Sequence, residues 1–108
     1  MSDIEIQGHQ YVYQKIVAEY RVSAPAYLPF GFFTVRVVEQ GSSFKATPDI
    51  AVRDLRCGGH LAVHATAATV EEAAIEAIRQ LYLEIAKQDR GRELEVSDFV
   101  WIANPVEH

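Results

Sequence analysis

Between residues 70 and 88 the apolar positions recur at helical spacing. Val70, Ala73, Ala74, Ala77, Ile78, Leu81 and Ile85 fall on one side, with Glu72, Glu76, Arg79, Gln80 and Lys87 largely opposite. The pattern predicts an amphipathic helix with one face in a core and the other in water. Thr69 is placed to cap its start, Glu72 stands three residues on to complete a capping box, and Glu71 and Glu72 suit the positive end of the helix dipole. Gly91, following Lys87 and Arg90, is the expected stop. The small side chains of Ala73, Ala74 and Ala77 leave room for the helix to lie close against a sheet.

Elsewhere the period shortens to two. In residues 32–39 Phe33, Val35 and Val37 alternate with Thr34 and Arg36, in a stretch rich in β-branched and aromatic side chains. Gln40, Gly41, Ser42 and Ser43 supply turn chemistry, after which Phe44 to Thr47 return antiparallel until Pro48 interrupts them. That is a hairpin. Residues 95–103 end in an apolar run that contains the single tryptophan, Trp101, and stops at Asn104 and Pro105, as a strand in the middle of a sheet would. Residues 9–22 satisfy both periods: Ile16, Ala18, Tyr20 and Val22 alternate, while Tyr13, Ile16, Val17 and Tyr20 recur helically. Their tyrosines and valines favour strand.

These elements in order, four strands, a helix and a last strand, predict one α+β domain over residues 1–108. Its antiparallel sheet has four or five strands, with one principal helix packed on one face. At 108 residues the chain has the length of one domain, and folding hides roughly two-thirds of its extended surface, enough for one core. No apolar run approaches the roughly 18 residues that span a bilayer. The start, with Asp3 and Glu5, has acids where a signal peptide carries bases. A cytoplasmic location without membrane contact is the expectation. One cysteine forms no intramolecular disulfide, so packing must hold the fold.

Charge adds a partner to this picture. The net charge is −5, and all of the acidic excess lies beyond residue 68. A phosphate backbone calls for a clustered basic face, so the pattern argues against nucleic acid and is more compatible with a basic protein. A solvated acidic helix face is the plainer explanation of the same charges.

The densest candidate for chemistry is residues 57–64, where Cys57, His60 and His64 follow one another around Gly58 and Gly59. Leu61 and Val63 alternate with the histidines, which predicts a strand over residues 60–66 with His60 and His64 on its more polar face. Four residues along a strand span about 13 Å, whereas zinc holds its nitrogen ligands at about 2.0 to 2.1 Å, so one strand does not bring both to one metal. The glutamate of the H-E-x-x-H signature is missing too. Cys57 as a nucleophile would need a base in hydrogen-bond reach and an oxyanion site. His60 and the glycine amides offer both locally, while a small buried thiol is the structural reading. No glycine-rich phosphate loop occurs, and no cofactor or metal is implied.

Residues 23–33 pair two prolines and a glycine with Tyr27, Leu28, Phe30 and Phe32. Loops run along surfaces, so these large apolar groups either fold over the core or meet a partner or a second copy of the chain.

The stretches Phe44 to Asp49, with a Thr-Pro-Asp end, and Thr69 to Leu83, with Thr-Val-Glu-Glu-Ala opening an alanine-rich helix, resemble the small domain of HicB-type antitoxins. The resemblance implies a three-stranded sheet with a packed helix that binds a basic toxin. The expected function is therefore a non-enzymatic protein-interaction module, with homo-oligomerisation also expected. Its contacts would come from Tyr27, Leu28, Phe30 and Phe32 and from Glu72 and Glu76. A small enzyme or ligand-binding or metal-binding protein built on Cys57, His60 and His64 is the alternative.

Overall fold

The computed structural model describes residues 2–6, 9–13, 15–25, 28–56, 58–87 and 94–102. Nine strands and one long helix occur among them: β1 Ser2–Ile6, β2 His9–Tyr13, β3 Ile16–Ser23, β4 Phe32–Gln40, β5 Ser43–Pro48, β6 Ile50–Arg53, β7 His60–Leu61, β8 Ala65–Ala67, α1 Val70–Ala86 and β9 Phe99–Trp101. The fold is α+β, as the two periods predict. A four-stranded antiparallel sheet runs β3-β4-β5-β8, a three-stranded one runs β7-β6-β9, and β1 pairs with β2. The strands ahead of the helix are more numerous and shorter than the sequence pattern suggests.

The helix lies across β4, β5 and β8. Every residue of the expected inner stripe is buried or half-buried, with Ala73, Ala77 and Leu81 fully enclosed. Thr69 caps the helix from extended backbone, its Oγ1 accepting from the Glu72 N–H at 3.2 Å. Gly91, the expected stop, lies outside the described residues. Opposite the helix, Phe33, Val35 and Val37 of β4 and Ala46 of β5 point into the same apolar cluster. On the other face of the sheet Glu19 and Arg36, direct partners across β3 and β4, form an ion pair at 2.8 Å. Gln40 pairs with Ser43, so Gly41 and Ser42 form a two-residue loop. Gly41 has φ 62°, a backbone that suits the twist of a tight hairpin and that glycine adopts without penalty.

After Pro48 the chain changes sheets, and Asp49 is the corner. Its N–H donates to the Thr34 carbonyl at 2.9 Å, its Oδ1 accepts from the Thr34 N–H at 2.9 Å, and its carbonyl accepts from the Ile102 N–H at 2.7 Å. One residue thus ties β4 to the end of β9. This corner explains two departures from the sequence reading. Residues 60–66 are not one strand: β7 pairs with β6 through Arg53 and His60, whereas β8 pairs with β5 through Lys45 and Thr66. Since β5 and β6 belong to different sheets, the strand that follows both must break, and it does so at residues 62–64. Likewise β9 is an edge strand of the three-stranded sheet, preceded by a 3-10 turn over Val96–Asp98, rather than a strand in the middle. Residues 9–13 and 16–22 are extended, and β2 and β3 belong to separate sheets. β1 lies ahead of the first strand that the pattern predicts.

Burial pushes the Asp49 carboxyl above its ordinary pKa of 3.8, against the lowering effect of the Thr34 hydrogen bond. A pKa raised in the folded state means the protonated form is the one that folding favours. Its stabilising contribution is complete below the unfolded pKa and is lost as pH rises through the folded pKa. Asp49→Asn keeps an oxygen for the Thr34 N–H and removes the charge. In urea titrations it should match the natural chain at low pH and exceed it at neutral pH. A variant less stable at neutral pH would show that the carboxylate's hydrogen bond outweighs its desolvation.

No helix among the described residues is long and apolar enough to cross a membrane.

Candidate interaction surface

The loop between β3 and β4 closes on itself. The Ala24 N–H donates to the Gly31 carbonyl at 2.8 Å, Leu28 N–H to Ala24 at 2.9 Å, and Gly31 N–H to Leu28 at 3.1 Å. This closure turns Leu28 inward. At 3% exposed it belongs to the core, so as it stands it offers no surface to a partner. Tyr27 lies outside the described residues. Phe30 is half-buried against the core, and Phe32 is 36% exposed where β4 begins.

Phe30 and Phe32 meet the last strand. The Phe30 ring stands edge-on to Phe99, with centroids 5.2 Å apart and planes at 88°. It also touches Trp101 at 5.0 Å, and Phe32 lies 6.2 Å from the same indole. The Arg21 guanidinium sits 4.0 Å from the Phe32 centroid, a cation–π contact on the outer side of the group. The cluster grades from core to water: Phe99 is 8% exposed and Trp101 is 48% exposed. Edge-to-face and tilted contacts of this kind fix ring orientation. An exposed indole held in this way is a rigid apolar anchor beside a cation.

Sequence reasoning placed Phe30 and Phe32 here but missed Trp101, Phe99 and Arg21. The apolar run around Trp101 predicts a buried central strand, whereas β9 is an edge strand and the indole is half exposed. The signal that could have found it is its position three residues ahead of Asn104 and four ahead of Pro105, near the strand's end, where a large aromatic has fewer neighbours to cover it.

The second expected contact lies elsewhere on the chain. Glu72 is exposed in the first turn of α1, and Glu76 accepts from Arg79 at 2.7 Å and from Gln80 at 3.1 Å. Glu84 likewise pairs with Lys87 at 3.0 Å. The helix therefore spends part of its negative charge on its own bases. Thr66, Ala67, Glu72, Ile75, Glu76 and Arg79 line a shallow hollow between β8 and the helix.

His60 and His64 are both exposed, one in β7 and the other in the break before β8. Cys57 lies outside the described residues. Ahead of them the turn is held by Asp54, 5% exposed, whose Oδ1 accepts from the Arg56 N–H at 2.9 Å and Nε at 3.0 Å. Among the described residues no three His, Cys, Asp or Glu side chains converge as a metal site would require.

No family model matches the chain, and neither a curated protein nor a solved structure matches it.

Proposed function

We propose that the chain is a non-enzymatic protein-interaction module that holds a small basic protein, as an antitoxin holds its toxin, and that works in the cytoplasm. Trp101, Phe30 and Phe32 form the anchor of the contact, and Glu72 and Glu76 add a charge-based approach. The observation that supports this reading is the half-exposed Trp101, held against Phe30 of the β3–β4 loop and Phe32 at the start of β4. Interface energy concentrates in a few rigid aromatics, with tryptophan foremost. Acidic side chains steer a basic partner toward such an anchor without contributing much affinity themselves.

The experiment is to recover the tagged natural chain and its Trp101→Ala variant from source cells, at moderate and at high salt, and then to measure affinity for the protein recovered. A basic protein in fixed ratio, lost as salt screens the charges, is expected with the natural chain. Trp101→Ala should bind it about thirtyfold more weakly or worse, with an unchanged far-ultraviolet circular dichroism spectrum. Recovery of the chain without a protein, or equal affinity for the variant, would overturn the proposal.

A further inference from the structure

The four-stranded sheet ends on β8, and an end strand presents unpaired backbone groups on its outer side. In an antiparallel pair, alternate residues turn N–H and C=O toward the partner strand and those between turn both away. β8 pairs with β5 through Ala65, Thr66 and Ala67, so either Thr66 or its two neighbours direct backbone groups outward. These three residues carry no charge, no proline and no register shift, the usual means of blunting an edge. Among these three residues brevity is the one such defence. Three residues supply few hydrogen bonds, so whatever pairs here must also use the ground beside the strand.

That ground is the hollow lined by Glu72, Ile75, Glu76 and Arg79 of α1. Ile75 is 49% exposed there. We infer that the occupant is a second copy of this chain, related by a two-fold axis that passes between the two Thr66 residues. The helix packs on β4, β5 and β8, and its residues Glu72, Ile75, Glu76 and Arg79 border Thr66 across the hollow, so the two-fold turns the same face of both helices toward each other. A two-fold normal to the sheet makes the two helices run antiparallel.

The charges agree with that placement. A crossing point beside Ile75 and Glu76 sets Glu72 of each copy against Arg79 of the other, and symmetry makes the contact twice. The two Ile75 side chains come to its centre. The result is one continuous sheet of eight strands with both helices on the same face. The aromatic anchor takes no part in this contact, whereas Glu72 and Glu76 are common to both readings, so failure of the dimer leaves the proposed function standing on Trp101, Phe30 and Phe32.

The test is the solution mass of the full chain by sedimentation velocity from about 1 μM to about 1 mM, a range that covers weak and strong association. A dimer is expected. Ile75→Asp, at a half-exposed position, should raise the dimer dissociation constant about thirtyfold or more while leaving circular dichroism unchanged. Glu72→Arg and Arg79→Glu should each weaken the dimer, and the double variant should restore it. A natural chain monomeric throughout would overturn the inference, including one that binds an extended peptide on β8 instead. So would a dimer indifferent to Ile75→Asp, or a double variant no better than its parents.

Discussion

Leu81→Ala should lower the stability of this chain by about 3–4 kcal/mol. Leu81 is 0% exposed and sits in the cluster formed by α1 with Phe33, Val35 and Val37 of β4 and Ala46 of β5. Removing a buried leucine costs its transfer energy and adds a term for the cavity left behind, which depends on how far neighbours can collapse. Here they are poorly able to do so. Ala73, Ala74 and Ala77 share the inner face of the helix and are too short to reach into the space, and the β-branched Val35 and Val37 are stiff at χ1. Against a net stability of about 5–15 kcal/mol for a typical domain the loss is large. It should appear as a fall of about 15 °C or more in Tm. Leu83, two residues on, is 42% exposed, and Leu83→Ala should cost less than about 1 kcal/mol. Thermal and urea unfolding of the two variants side by side would measure both. Equal losses would mean that the helix does not present the face described.

That helix face was legible in the sequence because a 3.6-residue period over seventeen residues leaves little ambiguity, and the Thr69 cap marks its start. The β4–β5 hairpin was legible for a similar reason, with Gly41 and Ser42 between two alternating runs. What the sequence concealed was sheet membership. Strand periodicity says which side chains share a face, and it is silent about which sheet a strand joins. Val52 and Ala46 are both apolar and fully buried, yet the Asp49 corner puts them in different sheets. The misreading of residues 60–66 as one strand follows from that silence, and so does the central position given to β9. The aromatic patch was half legible. Phe30 and Phe32 were unusual apolar residues in a proline-containing loop, whereas Trp101 becomes their neighbour only through pairing of β9 with β6. Leu28 shows the converse. A large apolar residue in a loop was a fair candidate for the surface, and three backbone hydrogen bonds within the loop fold it into the core instead.

The position of β9 gives Asp98→Ala the second large effect, about 2–3 kcal/mol of stability. Asp98 is 0% exposed, an unusual place for a carboxyl, and its Oδ2 accepts from the Glu95 N–H at 2.8 Å while its own N–H donates to the Glu95 carbonyl at 2.9 Å. These two bonds close the 3-10 turn, and Arg53 of β6 reaches the same turn through the Ser97 carbonyl at 3.3 Å. Truncation leaves the part-buried Glu95 N–H without its acceptor, which costs its desolvation as well as the lost bond. Asp98→Asn retains an oxygen and should lose less. The consequence for function lies three residues further on, because the turn sets where Trp101 meets Phe30 and Phe32. Trp101 is the single tryptophan, so its fluorescence reports on that contact alone. In Asp98→Ala the emission should shift to longer wavelength and become more accessible to iodide at temperatures where the helix signal is intact. If the variant loses stability but the indole signal stays as in the natural chain, the turn supports the core without positioning the patch. An unchanged stability would show that the Glu95 N–H finds water instead.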